Sequence, residues 1–347
     1  MKREIEIQYI IRRNGAYFGK LYAIGTPQLR CDDSSALKMS LSGDFAPNEL
    51  ADWLRDEIQP VLIIDGVEYP LAVLMPATVI PTKTATTASL HIEAYDRCWR
   101  VQDVTTEDIL YLAAGANYVQ EIQRLLVSCG IDTVLATPSD AVFSEAREDW
   151  DIGTSYLDIV NQLLGEINYN PLWFNAQGAA VLEPVSVPSA SRLKHVLDES
   201  NVESMLLPSI SRETDIYRAP NVFLCVCSNP DKTGPLVSKA ENTNPQSPLS
   251  IGRRGRRIMK KIQVNNIESQ AALDAYAARI CNESMIRGET IRVQTGLLPG
   301  FGMADVTALR FEGVDELCVE KAWTMSLGVG GTMQHTLQRV VINIDQQ

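Results

Sequence analysis

Several short stretches of this sequence hold residues of types that do chemistry. The segment LGVGGTMQHTLQRV, residues 327–340, sets Gly328, Gly330 and Gly331 ahead of a threonine, as in loops that cradle phosphate with backbone N–H groups. The run EAREDWD carries Glu145, Glu148, Asp149 and Asp151, and paired carboxylates hydrolyse glycosidic bonds. Cys225 and Cys227 fall on one side of a strand pattern, where two thiolates could begin a metal site. His91, His195 and His335 are the three histidines. The segment GRRGRR, residues 252–257, is the one basic patch, suited to an acidic partner surface or a phosphate.

The surroundings of each stretch decide among these chemistries. A phosphate loop must lead into a helix, whose N-terminal N–H groups and dipole hold the anion. Upstream of the glycines, Leu317, Val319, Trp323, Met325 and Leu327 share one parity, broken only by Lys321. That is the period of a half-buried strand. Downstream, TMQHTLQRVVINI is also strand-like, with a parity switch between Leu337 and Val340 that suggests a bulge or two-sided burial. The spacing fits neither G-x-G-x-x-G nor the P-loop pattern. Gly330 and Gly331 therefore read as a hairpin turn that needs φ > 0.

The acids at 145–151 lie in a charged connector ahead of a helix, where carboxylates favour the helix dipole, and a solvated face is the preferred reading. The two cysteines have no ligand partners at suitable spacing and read as small buried groups. The histidines are far apart, and no nucleophile or metalloprotease motif exists. The sequence thus predicts no catalytic residue, no cofactor site and no metal site. For Arg253, Arg254, Arg256 and Arg257, an interface and a merely solvated strand entrance stand level.

The 347 residues are enough for two or three domains, and 45% hydrophobic with 21% charged residues is ordinary for a globular chain. A net charge of −12 argues against a nucleic-acid-binding surface, which needs clustered Lys and Arg. The beginning, MKREIEIQYI, enters a strand pattern directly, and no long apolar run occurs, so neither export nor a membrane span is indicated. Seven irregularly spaced cysteines fit reduced thiols in a protein made in the cytoplasm.

These residues are positioned by three kinds of segment. Residues 1–98 read as β: Ile5, Ile7, Tyr9 and Ile11 alternate with polar residues, Asp65-Gly66 suits a type I′ turn, and Leu90, Ile92 and Ala94 share a face. Residues 99–204 read as α/β. One helix follows Asn117, with Gln120 completing a capping box and Gly130 at its end. A second carries Leu157, Val160, Leu163, Leu164 and Ile167, and a hairpin turns near residues 175–178. Residues 205–347 return to strands around one helix at 268–286, for which Ala271, Ala272, Ala275 and Ala278 offer a close-packing face. Residues 228–250, with four prolines, read as an exposed loop. The fold class is α+β, mainly β.

As an ordered set, several stretches resemble the baseplate hub family of phage tails and of phage-derived particles. The succession NNIESQAALDAYAARICNESM, IRVQTGLLPGFGMADVTAL and VEKAWTMSLGVGGTMQHTL carries the likeness, with Pro299, Gly300, Asp305, Trp323, Gly330, Gly331 and Met333 at the matching positions. IGRRGRRI, RDEIQPVLIIDGVEYPLAVL and HIEAYDRCWRVQD are similar to the family as well. The resemblance implies two tail-tube-like β-barrel domains, 1–98 and 205–347, flanking the mixed domain 99–204, with boundaries that can be discontinuous. It implies a homotrimeric ring joining the sixfold tail tube to a threefold central spike, in contact with tail tube protein, spike protein and, as a further neighbour, tape measure protein. It implies a location in the baseplate of a virion or phage-like particle, with no catalysis. The alternatives are a tail-associated cell-wall hydrolase using the 145–151 acids and a plain soluble binding module.

Overall fold

The computed structural model describes residues 3–340 except 215, 218, 228–234, 265, 266, 268, 287 and 288. Strands β1 (Ile5–Arg13), β2 (Ala16–Leu21), β3 (Ala23–Asp32), β4 (Met39–Phe45), β5 (Asp56–Ile64), β6 (Val67–Pro70), β7 (Leu74–Lys83) and β8 (Ala88–Asp96) come first. Helices α1 (Cys98–Asp103), α2 (Tyr118–Ser128) and α3 (Tyr156–Glu166) follow, with short strands β9 (Val134–Ala136), β10 (Trp173–Phe174) and β11 (Ala180–Leu182). Then come β12 (Leu193–Asp198), β13 (Leu206–Glu213), β14 (Val222–Cys227), β15 (Leu236–Glu241), α4 (Ile251–Arg254), β16 (Met259–Val264) and α5 (Gln270–Ile286). The last strands are β17 (Thr290–Gly296), β18 (Val306–Phe311), β19 (Val314–Ser326) and β20 (Thr332–Arg339). The chain is mainly β and divides into two compact units, residues 1–185, 294–304 and 321–335, and residues 186–293, 305–320 and 336–347.

In the first unit the antiparallel order β3-β4-β8-β7-β5-β1-β2 is open at β2, and residues 322–326 of β19 pair with residues 28–32 of β3. The alternation in β1 buries Tyr9 and Ile11 and exposes Glu4 and Glu6. Asn14-Gly15 and Asp65-Gly66 both hold two successive positive φ angles, the type I′ geometry whose twist matches a hairpin. Residues 98–182 surround a core of their own, built on Ile122, Leu125, Leu126, Ile159, Val160, Leu163 and Leu164. Asn117 caps α2 by accepting from the Gln120 amide at 3.1 Å, and Gly130 (φ +77°) follows its end. Ser155 caps α3 in the same way. At the β10–β11 hairpin the Asn175 side chain accepts from the amides of Gln177 and Ala179.

Asp96 ends β8 inside this unit. Its carboxylate, 1% exposed, accepts from the amides of Met39 (2.7 Å) and Cys98 (3.0 Å), tying β4 to the start of α1. Burial pushes its pKa up to about 6 against these hydrogen bonds.

The second unit has strands in the order β12-β18-β19-β20-β17-β13, with β12 parallel to β18 and β18 antiparallel to β19. A separate sheet, β15-β14-β16, is covered by α5. Three sequence expectations change here. The close-packing face of α5 is Leu273, Ala277, Cys281 and Met285, while Ala271, Ala275 and Ala278 are exposed. The i, i+4 row with the larger side chains buries more apolar area than the alanine row. The described part of residues 228–250 is not an exposed loop: it contributes β15 and a turn in which Asn242, Asn244, Ser247 and Ser250 are buried. Finally, β19 changes its buried face. Val319, Trp323, Met325 and Leu327 are buried as the parity predicts, but in the first half of the strand Glu316, Cys318 and Glu320, of the other parity, are buried as well. The switch falls beside Lys321, the residue that broke the alternation.

The glycines of the β19–β20 turn lie in the first unit. Gly331 N donates to Gly328 O at 2.9 Å, and Gly330 has φ +71°, the pattern of a type II turn with glycine third. Gly331 is constrained differently: a Cβ there would lie 2.1 Å from Ser326 O.

Two outcomes follow. Gly330→Val meets open space but a forbidden φ, and should lower unfolding free energy by about 1–2 kcal/mol in urea titrations. Gly331→Ala, facing backbone, should cost more, and equal or negligible effects would contradict the turn geometry. For Asp96, the raised folded pKa means that its contribution is fully present below pH ~4 and is lost as pH rises to ~6. Stability should fall by about 2–3 kcal/mol across that window. Subtracting the pH profile of Asp96→Asn from that of the wild type isolates this slope.

Candidate functional site

The acidic run 145–151 is organised around a residue that sequence reasoning passed over. Arg147 is 5% exposed, and its guanidinium makes hydrogen bonds of 2.9 and 3.1 Å to the two carboxylate oxygens of Glu166 near the end of α3. Asp149 accepts from its Nε. The ring faces of Trp150 and Phe143 lie 5.2 and 5.9 Å away. Burial opposes the arginine's charge, but its bonds to Glu166 outweigh this and hold its pKa above the ordinary value. Glu145, Glu148 and Asp151 are exposed. The cluster is thus a buried arginine clamp with acids on its outer side, and no pair of buried carboxylates converges there.

The histidines are held apart. His91 Nδ1 meets Asp44 at 2.8 Å on an exposed face. His335 is buried beside Thr295 (3.1 Å) and Phe301. His195 Nε2 lies 3.1 Å from Asp305, which Lys194 also contacts at 2.5 Å, so the Asp singled out after the Pro-Gly step anchors the start of β18 to β12. Among the described residues no group of His, Cys, Asp and Glu has the arrangement of a metal site. All seven cysteines are free and buried. Cys225 and Cys227 lie in the core under α5 with Leu273 and Ala277. Burial pushes the Cys281 thiol up to about 11 and that of Cys318 up to about 12, which leaves neither as a thiolate at neutral pH.

An open pocket of about 760 Å³ in the second unit is lined by Pro208, Phe311 and Val314 together with a four-membered charge network. Arg212 reaches Glu316 at 2.7 Å and Glu289 at 3.2 Å, and Arg339 reaches both glutamates at 3.3 Å. These two arginines and two glutamates neutralise one another, and Glu312 adds a third carboxylate to the lining, so the pocket offers no surplus positive charge to a small anion.

The basic segment is split by the structure. Ser250 Oγ accepts from the Arg253 amide at 3.3 Å and Gly255 (φ +61°) ends α4. Arg254 turns inward to the carbonyls of Ala219 (2.5 Å) and Ile216 (2.6 Å), and Arg257 pairs with Glu241 at 2.5 Å. Arg253 and Arg256 are exposed. Asn221, fully buried, holds the segment by donating to the carbonyls of Leu249 and Arg256 and accepting from the Ile258 amide. Nothing in the composition of NVFLCVC signalled that role for Asn221.

No model of a known protein family matches this chain, and no curated protein matches it. Solved structures do. The 43 kDa tail protein of prophage MuSo2 from Shewanella oneidensis gives a TM-score of 0.67 at 10% identity, over 96% of this chain and 98% of that one. The tail protein from Neisseria meningitidis MC58 gives 0.67 at 12% identity, over 96% of each chain. The chain has the fold of phage tail proteins. The tail-protein fold also relates it to E. coli c3393, a component of the type VI secretion system with structural similarity to T4 tail proteins gp27 and gp5, at a TM-score of 0.55 and 9% identity, over 96% of this chain and 77% of that one. Because these matches run nearly end to end, the tail-protein fold accounts for both compact units.

The Arg147 clamp gives a direct test of what the 145–151 run is for. Arg147→Met leaves Glu166, whose side chain is 6% exposed, with hydrogen bonds from Tyr118 and Gln162 but without its cationic partner, and should lower stability by about 3–5 kcal/mol. Glu148→Gln, at an exposed position, should change it by less than about 0.5 kcal/mol. Urea unfolding of both variants measures the contrast, and comparable losses would contradict it.

Proposed function

We propose that this chain is a structural baseplate hub of a phage tail or phage-derived contractile particle. Three copies form a ring that adapts the sixfold tail tube to a threefold central spike. The observation that carries this reading is the end-to-end likeness in fold to tail proteins, at TM-scores of 0.67. In this reading the two β-rich parts, 1–98 and 205–347, are tail-tube-like barrels completed in the ring around the mixed domain 99–204. The partners are further copies of the chain, tail tube protein, spike protein and tape measure protein. The open strand edge at β2 supports a surface completed by a neighbour. The net charge of −12 per chain suits a passage that repels rather than binds DNA phosphates.

The role is non-catalytic. The rival reading, a cell-wall hydrolase built on the 145–151 acids, finds its central residue, Arg147, engaged with Glu166 and its acids spread over an exposed surface.

Light scattering of the purified chain at micromolar concentration should give a mass three times that of the 38.4 kDa chain. A species that remains monomeric even with spike protein present would contradict the ring. Incubation with purified peptidoglycan should release no soluble fragments, whereas release abolished by Glu148→Gln would establish the hydrolase.

A further inference from the structure

Two exposed patches of opposite charge lie in different compact units, and each combines its charges with large exposed apolar side chains. The first forms where residues 105–112 run antiparallel to 147–155, framed by bridges at Thr105–Ser155 and Leu112–Arg147. Backbone bonds fix its outline: Thr106 N to Thr154 O at 3.0 Å, Gly153 N to Thr106 O at 2.8 Å, and Arg147 N to Leu112 O at 2.8 Å. Between the bridges Ile109, Tyr111 and Ile152 are 63%, 56% and 64% exposed. Glu107, Asp108 and Glu148 stand exposed among them. Arg147, the one cation of that stretch, turns inward to Glu166, so it does not offset these acids at the surface.

The second patch forms on the Asn221-braced segment. Arg254 is drawn to loop carbonyls; Arg253, Arg256 and Arg257 are exposed, and of these Arg257 is paired with Glu241, which leaves Arg253 and Arg256 to set the charge of the patch. The Arg254 bond to Ile216 O brings residues 216 and 217 beside α4, where Ile216 and Tyr217 are 60% and 74% exposed. Met259, 63% exposed, opens the edge strand β16 and is followed by exposed Lys260 and Lys261.

Scattered exposed apolar residues are normal, but apolar groups rimmed by charges of one sign are the anatomy of a protein interface. Each patch is also pinned by backbone or buried-amide hydrogen bonds, which lowers the ordering cost of docking. Their charges are opposite, and both belong to one chain. Two different, complementary patches on one chain make a head-to-tail contact, and such contacts close into a ring when the rotation between copies permits. We infer that the acidic patch around Ile109, Tyr111 and Glu148 of one copy docks on the basic patch around Arg253, Arg256 and Tyr217 of the next. This rests on the ring reading and adds to it the surfaces that meet.

The test is sedimentation velocity on the full chain across a concentration series, with wild type, the double variant R253E/R256E, the double variant E107R/E148R, and a chain carrying all four changes. All four positions are exposed, so melting temperatures should match the wild type. Each double reversal should weaken self-association by at least about tenfold, and the four-fold variant should recover it, because both faces are then inverted together. Wild-type association should also weaken as salt rises from about 0.05 to 0.5 M. A wild-type trimer unchanged by either reversal, or a four-fold variant that stays dissociated, overturns the pairing of patches and leaves the ring intact. A wild type monomeric at every concentration overturns both. Binding to duplex DNA that R253E/R256E abolishes while self-association is untouched shows the basic patch to be a phosphate surface and also overturns the inference.

Discussion

The first compact unit depends on one guanidinium. Arg97, at the exit of β8, donates through Nε and Nη2 to the carboxylate of Glu57 on β5, at 2.8 and 2.7 Å, and through Nη1 to Gly178 O at 2.6 Å. A forked pair of this kind is directional as well as strong. It fixes the hairpin of β10 and β11 against the same strand that carries the N-terminal sheet. Gly178 is the only residue type that the site admits without strain. Its φ is +78°, and a Cβ would come within 3.0 Å of Val73 and 3.1 Å of the Arg97 guanidinium. Gln59 Nε2 adds a bond to Ala176 O at 3.1 Å. This contact explains why Glu57 and Gln59 are buried on a strand whose other face already packs into the sheet core.

The same device recurs. Arg13 chelates Asp56 at 2.7 and 2.8 Å, and this arginine's hydrogen bond is the main reason the Asp56 pKa is lowered. Arg147 grips Glu166, and Arg254 grips two loop carbonyls. In an acidic chain, arginines drawn inward have two effects. They organise local structure through bonds that lysine could not make bidentately, and they leave the exposed acids with fewer counterions. The surface field of residues 103–151 is therefore set as much by where Arg147 points as by how many carboxylates surround it.

Much of the fold was legible because local signals and tertiary packing agreed. The alternation in β1 and β8, the Asp65-Gly66 turn, the Asn117 cap and the apolar rows of α2 and α3 each have one low-energy solution that the surrounding core also accepts. Legibility failed where a long-range partner changed the rule. The parity of β19 predicts one buried face, but Arg212 and Arg339 make burial of Glu316 tolerable on the other. The alanines of α5 looked like a contact face because small residues pack closely, yet Leu273 and Met285 on a neighbouring row had more apolar area to bury. The basic segment read as one patch. Only the structure shows that Arg254 braces loop carbonyls and Arg257 is paired with Glu241, while Arg253 and Arg256 are displayed. Arg147 and Asn221 gave no signal at all, since their roles depend on partners 19 and up to 37 residues away.

The proposed ring gives the division of charges a use, since that division leaves unbalanced charge at the surface. Buried Arg147 and Asp305 are matched by local partners, and the thiols are sealed in cores. What remains at the surface is apolar side chain and unbalanced charge, the materials of contact with other chains. Electron microscopy of the purified full-length chain, with averaging imposed only after symmetry is measured, tests this account most directly. It predicts closed rings of three copies around a central opening. A field of single, ringless particles at concentrations well above micromolar would contradict it.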